Sequence, residues 1–164
     1  MLVSTHPEQS PGNETSNGVN FLQPMIYGID NENDHYKQVA LMKIILAIGA
    51  GSFLGGISRY LLSLVIQNRV LSSFPFGTLS VNVFGCLLIG IVFGLAERGN
   101  MSQEWRLFLA TGVLGGFTTF SAFSNETVGM LRDGQFLYAS AYIVASVFLG
   151  LFATFIGIMI IKLF

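Results

Sequence analysis

The chain is 164 residues long, 52% hydrophobic and 10% charged, with a formal net charge of −1 and a mean hydropathy of +0.64. Soluble domains carry about 25% charged residues, so this balance excludes an ordinary soluble domain and predicts an integral membrane protein. One cysteine, Cys86, excludes an intrachain disulfide and a cysteine-built metal site within one chain; it reads as a small packing residue.

Residues 1–41 are rich in Asn, Ser, Glu, Gly and Pro and hold five acids against Lys37. No apolar period in them could bury a core, so they are read as disordered. Without a basic start followed by an apolar run, they do not resemble a signal peptide. Met42-Lys43-Ile44-Ile45 has the look of a natural translation start. The expectation is an extension over 1–41, dispensable or wrongly assigned, followed by a membrane domain over 42–164. That domain carries seven Lys and Arg against four Asp and Glu, a net charge of about +3.

Four apolar segments follow, each near the roughly 20 residues that cross a bilayer as a helix. They run over about Ile44 to Ile66, Thr78 to Ala96, Trp105 to Leu131 and Phe136 to Ile161. Ser72-Ser73-Phe74-Pro75-Phe76-Gly77 joins the first two. Glu97-Arg98-Gly99-Asn100 and Arg132-Asp133-Gly134-Gln135 predict tight turns, and Ser102-Gln103-Glu104 predicts a serine-capped helix start with an acid in the first turn. The fold class is therefore an all-α membrane protein with four transmembrane helices.

Small residues four apart favour close helix approach in lipid: Gly51 and Gly55, Ser52 and Gly56, Gly90 and Gly94, Gly112 and Gly116. Four thin helices enclose little volume, which points to an oligomer with its site between chains. An even number of crossings places both termini on one side, where Lys43, Arg98, Arg106 and Lys162 face Arg69 and Arg132 on the other. That four-to-two bias fits insertion in both orientations; it fits equally a single orientation with the termini in the cytoplasm.

The third segment contains Gly115-Gly116-Phe117-Thr118-Thr119-Phe120-Ser121-Ala122-Phe123. Glycine costs about 1 kcal/mol in a helix interior relative to alanine, and paired glycines before hydroxyl residues predict a broken helix. A break inside a bilayer frees backbone groups and is tolerated only where it is buried in protein or lines a wet or ion-filled cavity.

Several polar groups fall where lipid is expected. Arg59 lies within the first segment, where a charge costs about 2.5 kcal/mol or more at midplane; it either snorkels to the interface or serves a structural or pore-mouth role. The Asn82 amide either bonds a neighbouring helix or offers donors to a dehydrated anion. Phe120 and Phe123 share a helical face with Glu126 three residues on. Such a pair is either core or a pair of electropositive ring edges facing a narrow path. Tyr142 and Ser146, four apart, form a hydroxyl stripe or a helix contact.

Gly-Gly-Phe-Thr-Thr-Phe-Ser-Ala-Phe-Ser, Arg59-Tyr60 and Asn82-Val83-Phe84-Gly85 closely resemble the CrcB/Fluc family of fluoride channels, over about residues 43–164. The resemblance implies a channel domain over 42–164, assembled as an antiparallel, dual-topology homodimer in the cell inner (plasma) membrane, with two fluoride pathways. Phe120 and Phe123 would line them, Asn82 would face the anion, Tyr142 and Ser146 would form part of a polar track, and Ser121 and Glu126 would also belong to the pathway. Gly115 and Thr118 would offer backbone carbonyls to a central sodium ion shared by the two chains. In one respect the chain departs from the family: Ala122 stands where Thr is usual, removing one hydroxyl, with Ser121 and Ser124 near enough to compensate.

The function this implies is passive, gradient-driven fluoride efflux that lowers cytoplasmic fluoride, with fluoride, membrane lipid and a second copy of the chain as partners and no nucleic acid. A small multidrug transporter is the nearest rival by size, but the first segment holds Arg59 and no acid. A proton-coupled antiporter lacks an evident acidic relay here. An enzyme lacks a nucleophile-base pair, the two histidines, His6 and His35, both lying in the tail. A scaffold would not need a broken helix flanked by phenylalanines.

Overall fold

The apolar segments become helices because lipid leaves the backbone no partner but itself. The computed structural model of the chain describes residues 34–70 and 72–163, and every regular element among these is helical. Helix α1 spans Asp34–Arg69, α2 Phe76–Glu97, α3 Gln103–Arg106, α4 Gly115–Phe117, α5 Phe120–Arg132 and α6 Phe136–Leu163, with a π-helical stretch at Leu107–Leu114 between α3 and α4. Among the described residues four spans are long and apolar enough to cross a membrane: Asp34–Arg69, Phe76–Glu97, Gln103–Arg132 and Phe136–Leu163. Each contains one of the segments read from hydropathy and reaches a few residues beyond it.

The largest difference lies at the start. The disorder expected over 1–41 falls, as far as residue 33, outside the described residues, whereas Asp34 to Leu41 are helical. Asp34 sits in the first turn, at the positive end of the helix dipole. Val39-Ala40-Leu41 then runs into the apolar segment without a glycine or proline to stop it.

The turns form where glycines mark them. Gly99, after α2, and Gly134, after α5, have φ of 72° and 73°, a left-handed conformation that glycine adopts without steric penalty. Ser102 caps α3, its hydroxyl accepting from the Trp105 N–H at 3.4 Å. Between α4 and α5, Thr118 (φ −91°, ψ 153°) and Thr119 (φ −148°, ψ 113°) have extended backbones.

Packing follows the glycines. A methyl group built on Gly90 of α2 would strike the Thr154 carbonyl oxygen of α6, and one on Gly157 would strike that of Leu87. The Thr154 hydroxyl uses this proximity to donate to the Cys86 carbonyl at 3.1 Å. On the other side, a methyl on Gly55 of α1 would strike the carbonyl of Val113, and one on Gly116 that of Ser52. Gly56, expected to pair with Ser52 as a contact stripe, meets nothing within 4 Å. Among the described residues Tyr142 and Val81 are the largest fully buried side chains, while many large apolar ones remain exposed.

Gly90→Val and Gly55→Val should each destabilise the fold by about 1–3 kcal/mol through overpacking, seen as a fall of several degrees in the thermal midpoint of the detergent-solubilised protein. Gly129→Ala, where nothing lies within 4 Å, should leave that midpoint unchanged or slightly raised.

Candidate functional site

The site is built around one side-chain amide. In an uninterrupted helix the Thr119 N–H would donate to the Gly115 carbonyl four residues back. It donates instead to Oδ1 of Asn82 on α2 at 2.8 Å, while Asn82 Nδ2 donates to the Thr119 carbonyl at 3.2 Å. Asn82 thus pairs with both backbone groups of one residue, as a neighbouring strand would. Thr119 then starts α5 as its cap, Oγ1 accepting from the Ala122 N–H at 3.2 Å, with the Ser121 hydroxyl 3.1 Å away.

Upstream, the Thr118 N–H and hydroxyl both donate to the Leu114 carbonyl at 3.0 Å. Arg59, half-buried on α1, donates through Nε to the Gly116 carbonyl at 3.4 Å. Its charge therefore ends on the backbone of α4. Among the described residues no loop or neighbouring-helix N–H donates to the carbonyl oxygens of Gly115 or Thr118. The chain turns there at the expense of two free acceptors.

On α5 the three-residue spacing places Phe120, Phe123 and Glu126 along one face. The Phe120 and Phe123 ring centroids are 5.6 Å apart, and Phe123 meets the Tyr142 ring of α6 at 5.1 Å. Beyond the rings, Glu126 accepts from two hydroxyls: Thr78 on Oε1 and Tyr142 on Oε2, each at 2.6 Å. Two short bonds on separate oxygens hold the carboxyl group in this apolar setting.

Asn82, Gly115, Thr118, Phe120, Phe123 and Ser146 line one groove of about 370 Å³, with Cys86 also on its wall. Glu126 and Tyr142 are not among its lining residues but join it through Phe123. Ser121 and Arg59 do not line it. The Ser146 hydroxyl is buried and has no hydrogen-bond partner among the described residues. Phe120 is 80% exposed, so the groove opens on the surface of the protomer. Among the described residues no cluster of three or more His, Cys, Asp or Glu could hold a metal ion.

Sequence reasoning missed Thr78, Thr119 and Gln67. Thr78 lies four residues before Asn82, on the same face of α2, and that spacing could have found it. Nothing local singles out Thr119 as the partner of Asn82, 37 residues away.

The amino-acid sequence is similar to those of known proteins. Residues 46–158 match the sequence profile described as CrcB-like protein, Camphor Resistance (CrcB). The chain belongs to the CrcB-like family. Similar CrcB-like chains include a protein of Flavobacterium psychrophilum named fluoride-specific ion channel FluC, 50% identical over 122 residues, which are 74% of this chain and 98% of that one. Proteins of the same name from Rhizobium meliloti, 47% identical over 122 residues (74% and 98%), and Thermus thermophilus, 46% identical over 116 residues (71% and 93%), are comparably similar. Relatives named as ion channels support a non-enzymatic role.

In this CrcB-like chain, Asn82→Ala leaves two backbone groups of Thr119 unpaired, at about 1–3 kcal/mol for each buried group. Its thermal midpoint should fall well below that of Tyr142→Phe, which removes one hydroxyl and leaves Glu126 bonded to Thr78. Equal midpoints would deny Asn82 its structural part.

Proposed function

We propose that the protein is a fluoride channel that lets the anion leave the cytoplasm passively, down its gradient. The observation that carries this reading is the composition of the path. From Asn82 through Phe120 and Phe123 to Thr78 and Tyr142 it presents an amide, aromatic rings and hydroxyls, with the Glu126 carboxyl group at its far end, and among the described residues no Lys or Arg lines the groove. The names of the relatives supply the ion.

Fluoride is small and strongly hydrated, so entry requires donors that replace water, and exit requires that none of them hold it too firmly. Asn82 has committed Oδ1 and one N–H to Thr119, which leaves a second N–H on Nδ2 for an anion. The unpartnered Ser146 hydroxyl is a second donor on the groove wall. Ring edges of Phe120 and Phe123 carry the positive part of the quadrupole and attract an anion weakly. The Thr78 and Tyr142 hydroxyls can turn from Glu126 to a passing ion and back, and Ser121 adds a hydroxyl near the helix start.

The working unit is an antiparallel homodimer in the cell inner membrane, each groove closed by the second chain, giving two pathways. The open groove and the exposed Phe120 support this assembly. The residues present also fit a central sodium ion. Gly115 and Thr118 have acceptor oxygens that no neighbouring backbone donor occupies, and carbonyl oxygens suit a hard cation. Two from each chain would hold the ion at the break between α4 and α5, lending the interface a fixed positive charge.

The test is efflux from proteoliposomes loaded with potassium fluoride or potassium chloride, with valinomycin carrying the counter-charge. Fast fluoride release without chloride release is expected, and absence of fluoride release would refute the proposal. Asn82→Asp should slow fluoride release about tenfold or more by placing a like charge in the path; an unchanged rate would remove Asn82 from it. Protein purified and reconstituted without sodium, in N-methylglucamine salts, should lose most of its fluoride conduction and regain it when sodium is restored.

A further inference from the structure

The column of rings and hydroxyls has two ends. One opens into the groove at Phe120. At the other, Thr78 is 6% exposed and Tyr142 not at all, and the ring that covers Tyr142 comes from outside the helices. It is Phe74, in the connection between α1 and α2. Its centroid lies 5.5 Å from that of Tyr142 at an interplanar angle of 79°, edge to face. Phe76 at 4.7 Å and Tyr138 at 6.3 Å flank it. It also packs against the buried cluster of Leu79, Met130, Ala139 and Tyr142. Phe74, Tyr142, Phe123 and Phe120 thus form a continuous file of rings at 5.5, 5.1 and 5.6 Å spacings.

A ring on a connecting segment needs an anchor, and Gln67 near the end of α1 provides it. Its Nε2 donates to the carbonyls of Ser72 at 2.9 Å and Phe74 at 3.2 Å, and its Oε1 accepts from the Gly77 N–H at 3.1 Å. Pro75 gives α2 no side-chain cap, so Gln67 satisfies one of the helix's free amides from a distance. Phe74 is further fixed by its own N–H, which donates to the Ser72 hydroxyl at 3.1 Å. One amide therefore holds both the ring over Tyr142 and the turn that carries Thr78.

An anion that passes Phe123 and reaches the Thr78 and Tyr142 hydroxyls meets this ring next. We infer that Phe74 is the constriction at the loop end of the path, the side chain past which the ion must leave, and that Gln67 is the positioning residue that seats it. The inference rests on the conduction proposed above. Its chemistry suits the place: the bulk of a phenylalanine excludes a hydrated ion, and its edge tolerates a bare one. A ring with a packing role alone would stabilise the fold without setting the size of the current.

Unitary fluoride currents in planar bilayers separate these roles, because a folding defect lowers the number of channels and not the current through each. Wild type is recorded first; if it carries no fluoride current, the channel proposal fails and not this one. With wild type conducting, Phe74→Ala should raise the unitary fluoride current about threefold or more, since the slowest exit governs passage through a chain of weak sites. Gln67→Met, which keeps the length and loses all three hydrogen bonds, should raise it by a smaller factor. Phe74→Leu serves if Phe74→Ala yields no channels, and should also raise the current. Unitary currents at or below the wild-type value in these variants would overturn the inference.

Discussion

One amide side chain paired with one backbone unit underlies the organisation of the site. Asn82 takes the Thr119 N–H at 2.8 Å and gives to the Thr119 carbonyl at 3.2 Å, which allows two consecutive residues to be extended within an apolar span. Without such a partner, each unsatisfied backbone group in hydrocarbon would cost several kcal/mol. The exchange also diverts the N–H that would have occupied Gly115. The free Gly115 carbonyl follows from that diversion, while the Thr118 carbonyl loses its helical donor because the Ala122 N–H caps onto Thr119 Oγ1 at the start of α5.

On the proposed reading the same residue, Asn82, serves both the backbone and the ion. A carboxamide offers two donors and two acceptor sites, and the backbone of Thr119 consumes only part of them. Arg59 presents the converse case: a charge in an apolar span is placed on the Gly116 carbonyl, where it supports the backbone and stays outside the groove. Full positive charges are thus kept off the groove wall, and weak donors line it. On the proposed reading this division serves conduction, since strong binding would hold the ion in place.

Close helix approach sets the remaining geometry. Glycines at 90 and 157 bring α2 against α6, and those at 55 and 116 bring α1 against the third span, so that side chains from α2, α5 and α6 converge on Glu126 and the rings. The protomer nevertheless leaves its groove open and Phe120 exposed. On the proposed reading a second chain covers this groove, since four helices are too few to enclose a path.

Much of this was legible in the sequence. Hydropathy placed the four spans, Gly99 and Gly134 marked the turns, and Ser102 marked a helix start, because each rests on interactions within a few residues. Spacing also put Phe120, Phe123 and Glu126 on one face, and Tyr142 with Ser146. The extent of α1 back to Asp34 was not legible, since a polar composition does not forbid a helix continued from an apolar one. Nor was the open space at Gly56, because a small residue marks a possible approach and says nothing of which helix arrives. The sequence by itself determined an all-helical membrane chain and the residue types available to a site. Only the tertiary structure decided that Asn82 meets Thr119 across 37 residues, that Thr78 meets Glu126 across 48, and that Gln67 seats Phe74 over Tyr142. Those pairings depend on helix rotation and depth, which are set by backbone contact between distant glycines and leave no periodic trace along the chain.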